Sequence, residues 1–160
     1  MVEQIRLLQA DIQNRLADIE AAYKQLDELG ATATGTNQDI VIAYYLHVLY
    51  GLFESLFEQI AGTFGNHLAD KSQWHFQLLR RMALDISSIR PAVISQESFV
   101  CLNELRGFRH LFRNAYLLQF DPDRLNIVLK YASELRLSYS SDLKKFLDFL
   151  EQLAQTDTES

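Results

Sequence analysis

The stretch RGFRHLFRNAY, residues 106–116, holds the side chains of this sequence best suited to chemistry. On a helix at about 100° per residue, five polar side chains of this stretch fall within roughly 140° of one another. They are Arg106, Arg109, His110, Arg113 and Asn114. Tyr116 projects at the edge of this polar stripe. Because guanidinium forks match phosphate oxygens, the pattern predicts a site for a phosphate group.

The opposite side of the same stretch is apolar, which predicts that the helix packs there. It carries Leu105, Phe108, Leu111, Phe112 and Ala115. No acid lies inside the stretch, and none is placed for an (i, i+4) pair. In a chain of net charge −6, an unpaired basic cluster requires an anion from elsewhere. The alternative is that the arginines pair with acids of other helices, such as Glu54 or Glu58, and that a hydrogen bond satisfies His110.

A second group of polar residues lies along one side of the preceding apolar segment. His47, Tyr50, Glu54 and Glu58 are separated by three, four and four residues. Two carboxylates and a histidine could form a metal face, but such a face usually needs a matching acidic helix opposite. We therefore predict no metal or other cofactor, and we expect His47, Tyr50 and Glu54 to support the arginine helix by hydrogen bonds and ion pairs.

The elements that position these residues are predicted to be helices. Only 6 Gly and 2 Pro occur in 160 residues, which disfavours a many-turned β fold. In the first helix, Ile5, Ile12, Ile19 and Leu26 recur every seven residues, and Gly30 ends it. The second helix, to about residue 64, is apolar nearly all round, so we expect it at the centre of the bundle or in a subunit interface.

Three further helices follow. The third lies within residues 73–84, where Trp74, His75, Leu78 and Leu79 are predicted to pack it onto the bundle. Ser95 is a cap for the fourth, which is predicted to run to Leu118. Asp121 and Pro122 start the fifth, which runs towards Ala154 with a break near residues 138–141.

Length and composition limit the class of protein. We predict one domain over residues 1–155 with a polar tail over 156–160. The net charge of −6 argues against binding nucleic acid through bulk charge, although a local basic site remains open.

The single Cys101 excludes a disulfide framework and is expected to be a small buried residue. His47, Glu54 and Glu58 interrupt the most apolar segment, so we expect no membrane span and a cytoplasmic protein.

The order Arg109, four residues, Asn114, one residue, Tyr116 resembles the signature of HEPN-fold ribonucleases, in particular the HepT-like toxins. A polar residue often follows the arginine in that signature, and here it is His110. Segments 44–61, 73–84 and 105–125 also resemble a HepT-like subfamily, so the resemblance covers about residues 40–130. It implies an all-α, up-and-down bundle of about five helices with the HEPN fold.

The resemblance also implies a chemistry. HEPN nucleases are understood to cut RNA without metal, with the ribose 2′-hydroxyl as nucleophile, an arginine on the phosphate and a histidine for proton transfer. This sequence departs from the signature, because Asn114 stands where the toxins have histidine, and asparagine cannot transfer a proton. Either His110 supplies that function, or the chain is a non-catalytic substrate-binding or regulatory subunit of a nucleotidyltransferase.

Partners are implied in the same way. HepT-like proteins generally form homodimers, and here we expect the dimer to bury parts of the second and fourth helices. Their usual partner is a minimal nucleotidyltransferase antitoxin, which attaches AMP to the signature tyrosine, here Tyr116. That modification would block RNA entry beside the arginines.

Because Arg109 is predicted on a polar face, its replacement with alanine is expected to leave the fold almost unchanged.

Overall fold

In the part of the chain that the structure describes, five α-helices form the fold, as the spacing of apolar residues and the scarcity of Gly and Pro predict. The computed structural model describes residues 1–30, 32–65, 73–115, 117 and 119–159. Within those ranges no β-strand occurs beyond an isolated bridge between Ile86 and Arg90. The helices are α1 Val2–Glu28, α2 Gln38–Thr63, α3 Trp74–Met82, α4 Gln96–Arg113 and α5 Pro122–Glu159. The prediction of an all-α bundle is confirmed.

Helix α2 lies at the centre of the bundle and contacts each of the other four helices. Twelve of its side chains are buried, and those of Phe53 and Phe57 are fully enclosed. By length and composition alone α2 could also cross a membrane, a test that core helices pass as well. Its burial against the neighbouring helices accounts for its apolar composition.

Helices α1 and α5 pack against each other in opposite directions. Arg6, near the start of α1, forms an ion pair with Glu151, near the end of α5. At the other end of α1, the Tyr23 hydroxyl donates to the carbonyl oxygen of Ala132 at 2.7 Å. These two contacts fix α1 antiparallel to α5, as in an up-and-down bundle of the four long helices α1, α2, α4 and α5, whereas strict alternation of all five helices would make α1 and α5 parallel.

The start of α4 is anchored to α5 by a hydrogen-bonded serine and aspartate cluster. Ser95 caps the helix as predicted, its Oγ accepting from the backbone N–H of Ser98 at 3.2 Å. The Asp142 carboxylate on α5 accepts from the Ser95 N–H and Oγ at 2.9 Å each and from Ser98 Oγ at 2.5 Å. The cluster fixes the position of α4, which carries the arginines.

Replacing Ser95 with alanine should therefore lower the free energy of unfolding by about 1 kcal/mol, because one helix-terminal N–H loses its acceptor. Thermal or urea unfolding measures the change. The control is Ser141→Ala on the exposed surface of α5, where alanine favours the helix and no loss is expected. Equal stabilities of the Ser95→Ala variant and the parent would contradict the capping role.

Helix α4 is shorter than predicted and ends at Arg113 rather than at Leu118. Asn114 is its C-cap, and the side-chain amide donates to the backbone carbonyl of His110 at 2.9 Å, which satisfies an acceptor of the last turn. Leu111 was predicted on the packed side and is 46% exposed instead. It lies in the last turn of α4, and its side chain is outside the enclosed core.

Helix α5 is continuous, so the predicted break at residues 138–141 is wrong, and the helix extends past Ala154 to Glu159. Within the helix, Ser138 Oγ donates to the carbonyl of Leu135 at 3.3 Å and lies 2.7 Å from Ser98 Oγ. Tyr139 is buried against α1 and α2. These bonds and contacts hold the serine-rich turn in helical form.

Candidate functional site

An open cavity of about 360 Å³ lies beside the C-terminal half of α4. Three helices supply the side chains that line it. They are Tyr50 from α2, His75 from α3, and Arg106, Arg109, His110, Arg113 and Asn114 from α4. The polar face predicted from helical spacing therefore faces one concave site, and a cavity of this size is typical of small-ligand sites.

Arg109 is paired with an acid, as the alternative that the arginines pair with Glu54 or Glu58 predicts, so the arginine cluster is not wholly unpaired. Its Nη1 donates to Glu54 Oε1 at 2.5 Å, and the Glu54 side chain is only 5% exposed. The Arg109 guanidinium also lies 5.9 Å from the ring centre of the buried Tyr50. Glu54 thus supports the arginine helix by an ion pair, the role predicted for it. Arg109 still lines the cavity.

Arg106 and Arg113 have no carboxylate within ion-pair distance among the residues that the structure describes. Arg106 is held by neutral groups: its Nε donates to Asn103 Oδ1 at 3.0 Å, and its guanidinium lies 5.2 Å from the Phe76 ring centre. Arg113 is exposed at the end of α4. The two guanidinium groups, which no described carboxylate compensates, give the cavity a positive charge that suits an anion.

His110 and Asn114 lie side by side at the exposed end of α4, as their four-residue spacing predicts. Asn114 Nδ2 is 3.5 Å from His110 Nε2, and the same amide donates to the His110 carbonyl. Asn114 can therefore orient the ring of His110 but cannot transfer a proton itself. Tyr116, the predicted fourth member of this group, lies outside the described residues.

Like Glu54, His47 is a predicted site residue that does not line the cavity. Its ring stacks on Phe112 with 4.7 Å between ring centres, and its buried Nδ1 has no hydrogen-bond partner within the described part of the chain. Burial lowers the pKa of His47, and the charges of Arg109 and Arg113 lower it further. The predicted support for the arginine helix is therefore packing rather than a hydrogen bond.

The lowered pKa of His47 predicts a pH effect on stability. As the pH falls below the ordinary histidine pKa of about 6.5, the unfolded chain binds a proton that folded His47 resists. This contribution therefore destabilises the fold as the pH falls from about 7 to 5. Replacement by glutamine should make the urea midpoint depend less on pH over that range. An unchanged pH dependence in His47→Gln would contradict the assignment.

His75 is the residue of the cavity that the sequence did not reveal. It was predicted to pack α3 onto the bundle, but its side chain is 46% exposed and its Nδ1 lies 2.7 Å from Glu54 Oε2. Twenty-one residues and a loop separate His75 from Glu54, so no helical spacing connects them. Trp74 and Leu79 pack inward as predicted.

The arrangement can bind an anion and exchange protons with it. Two histidines from different helices and three arginines line the cavity. Among the described residues, no cluster of three or more histidine, cysteine, aspartate or glutamate side chains could hold a metal ion. Burial raises the pKa of Tyr50, and the nearby Glu54 carboxylate adds to the effect, so Tyr50 stays neutral at physiological pH.

The bundle and its cavity define an all-α protein with a cationic site built on one helix. A sequence model of a family described as HepT-like protein matches residues 41–150, which is more than half of the chain. The chain therefore belongs to the HepT-like family of HEPN-type proteins, and the matched segment contains every residue that lines the cavity. Comparison with curated proteins gave no match, and comparison with solved structures gave none.

Proposed function

We propose that this chain is a HepT-like toxin that cleaves RNA without a metal ion at the cavity on α4. One observation carries the proposal. Arg106 and Arg113 face a cavity that also holds His110, and no carboxylate within the described residues compensates them. A phosphodiester supplies the missing negative charge, and its oxygens accept from guanidinium donors.

The reaction follows from these groups. The ribose 2′-hydroxyl attacks the phosphorus, the bond from phosphorus to the 5′-oxygen breaks, and a cyclic 2′,3′-phosphate and a free 5′-hydroxyl result. Arg106, Arg109 and Arg113 stabilise the charge that develops on the phosphate oxygens. His110 transfers a proton. Asn114, which donates to the backbone carbonyl of His110, contributes by hydrogen bonding where the toxin signature has a histidine.

The cleavage assay uses a mixed-sequence RNA with chelator present. The parent should release products ending in 2′,3′-cyclic phosphate. Arg113→Ala should lose at least tenfold in rate and His110→Ala at least a hundredfold, whereas Asn114→His should cleave faster. Lys144→Ala, which removes an exposed positive charge from the far half of α5, is the matched control and should cleave like the parent. Cleavage that survives both Arg113→Ala and His110→Ala would overturn the proposed site.

A homodimer and a nucleotidyltransferase antitoxin are part of the proposal. Four large apolar residues are exposed on the elements expected to form the dimer: Val41 at 42% and Tyr44 at 51% on α2, and Val100 at 47% and Leu111 at 46% on α4. Burial of this surface against a second copy would bring two cationic cavities together. Sedimentation should show a dimer at micromolar concentration, and a monomer there would contradict it.

The antitoxin would act at Tyr116. Attachment of AMP to that tyrosine would place negative phosphate close to Arg109 and Arg113 along the chain and occupy the space that RNA needs. Incubation of the two proteins with ATP should raise the mass of the parent by whole AMP units and leave Tyr116→Phe unchanged. Equal modification of both would reject Tyr116 as the acceptor.

A second candidate function is a non-catalytic subunit that regulates a nucleotidyltransferase. Two observations favour it: Asn114 replaces the signature histidine, and Glu54 already neutralises Arg109. In this case none of the variants cleaves RNA, while binding to the nucleotidyltransferase depends on Arg106 and Arg113. The cleavage assay separates the two functions directly.

A further inference from the structure

Glu54 links three helices behind two residues that line the cavity, Arg109 and His75. It is a carboxylate with a side chain only 5% exposed, and each of its oxygens has a different partner. Oε1 accepts from Arg109 of α4 at 2.5 Å, and Oε2 lies 2.7 Å from His75 Nδ1 of α3. A buried carboxylate is costly unless it is paired, so these two contacts explain how the fold retains it.

The two partners of Glu54 differ in how far their side chains are exposed to solvent. Arg109 is 22% exposed, whereas the side chain of His75 is 46% exposed and lines the cavity. Because Nδ1 is occupied by Glu54, the ring nitrogen left for a ligand is Nε2, which has no hydrogen-bond partner within the described residues. A carboxylate on Nδ1 fixes the tautomer and the orientation of an imidazole.

We propose that His75 is a second catalytic histidine of this site and that buried Glu54 is its positioning residue. The inference rests on the proposed RNA cleavage. His75 Nε2 takes the proton of the attacking 2′-hydroxyl as the bond from the 2′-oxygen to phosphorus forms. His110 donates a proton to the departing 5′-oxygen as its bond to phosphorus breaks. The two histidines exchange one proton each with the substrate, and the overall charge balances.

The contacts of the two histidines support this division of roles. The Glu54 carboxylate at Nδ1 orients the ring of His75 and leaves Nε2 as the nitrogen that can take the proton. His110 lies on α4 with Arg106 and Arg113, and all three line the cavity that His75 also lines. The site therefore supplies both proton transfers although Asn114 replaces the signature histidine.

Three variants test the proposal in the cleavage assay. His75→Asn keeps a donor near the position of Nδ1 but has no ring nitrogen for the substrate. We expect kcat to fall at least a hundredfold with RNA affinity unchanged, and the acidic limb of the pH–rate profile to disappear. His75→Ala should regain part of its rate when imidazole is added, a result that a merely structural role would not give. Glu54→Gln should lower kcat less than His75→Asn does.

Gln77→Ala, on the same helix and outside the cavity lining, is the matched control and should cleave like the parent. Unfolding curves confirm that each variant is folded. If the parent and His75→Asn cleave equally and share one pH profile, while Arg113→Ala is impaired, the role of His75 is overturned and the proposed function stands. If the parent itself fails to cleave any RNA, the proposed function and the role of His75 are both overturned.

Discussion

Replacing Arg109 with alanine should lower the free energy of unfolding by about 2–3 kcal/mol. This is the reverse of the expectation from the sequence, because the guanidinium is the ion-pair partner of a buried carboxylate. Removal of one partner of a fully buried pair costs about 3–5 kcal/mol. Arg109 is 22% exposed and Glu54 keeps His75, so the expected loss is smaller. Urea unfolding at neutral pH measures it.

A double-mutant cycle separates the ion pair from other effects of the substitution. Adding Glu54→Gln to Arg109→Ala removes the uncompensated charge, so the double variant should be more stable than the sum of the two single losses predicts. Arg113→Ala, at an exposed arginine of the same helix, should change stability by about 0.5 kcal/mol or less. If the losses of stability from Arg109→Ala and Glu54→Gln simply add up in the double variant, the ion pair between the two residues is rejected.

Replacing Phe108 with alanine should cost more, about 3–5 kcal/mol, because it leaves a cavity beneath the basic face of α4. Phe108 is fully buried, and its ring lies 6.4 Å from that of Phe112 and 6.2 Å from that of Phe120. This aromatic cluster packs the C-terminal half of α4 onto Phe120, two residues before the start of α5. Truncation should therefore loosen the helix that positions the arginines.

The control for Phe108→Ala is Leu137→Ala on α5, at a residue that is 87% exposed. That variant should lose about 0.5 kcal/mol or less. Phe108→Leu retains most of the side-chain volume, so its loss of stability should fall between those of Phe108→Ala and the control. A loss below about 1 kcal/mol in Phe108→Ala would show that the aromatic cluster does not hold α4 in place.

Local patterns in the sequence predicted most of the fold. Ile5, Ile12, Ile19 and Leu26 are all buried, because a repeat of seven keeps side chains on one face of a helix. The cap at Ser95 was found in the same way, since capping depends on residues only three apart. The residues at which the helices end were predicted less accurately.

The site was predicted in part, and the limit is physical. Helical spacing places the α4 residues on one face, and the cavity contains Arg106, Arg109, His110, Arg113 and Asn114. Spacing carries no information on partners from other helices, so the bond from Arg109 to Glu54, 55 residues away, was only one of two open alternatives. His75 depends on the same carboxylate, and only the tertiary structure brings it there.

The central claim is that the cavity on α4 binds the phosphates of RNA, and binding of an uncleavable RNA tests it most directly. Fluorescence anisotropy with a 2′-O-methylated oligonucleotide would give the affinity of the parent, Arg113→Ala and the control Lys144→Ala at several salt concentrations. We expect Arg113→Ala to bind about ten- to a hundredfold more weakly, with a salt dependence reduced by about one phosphate contact. Lys144→Ala should bind like the parent. No RNA binding by the parent at low salt, or equal binding by Arg113→Ala, would contradict the account.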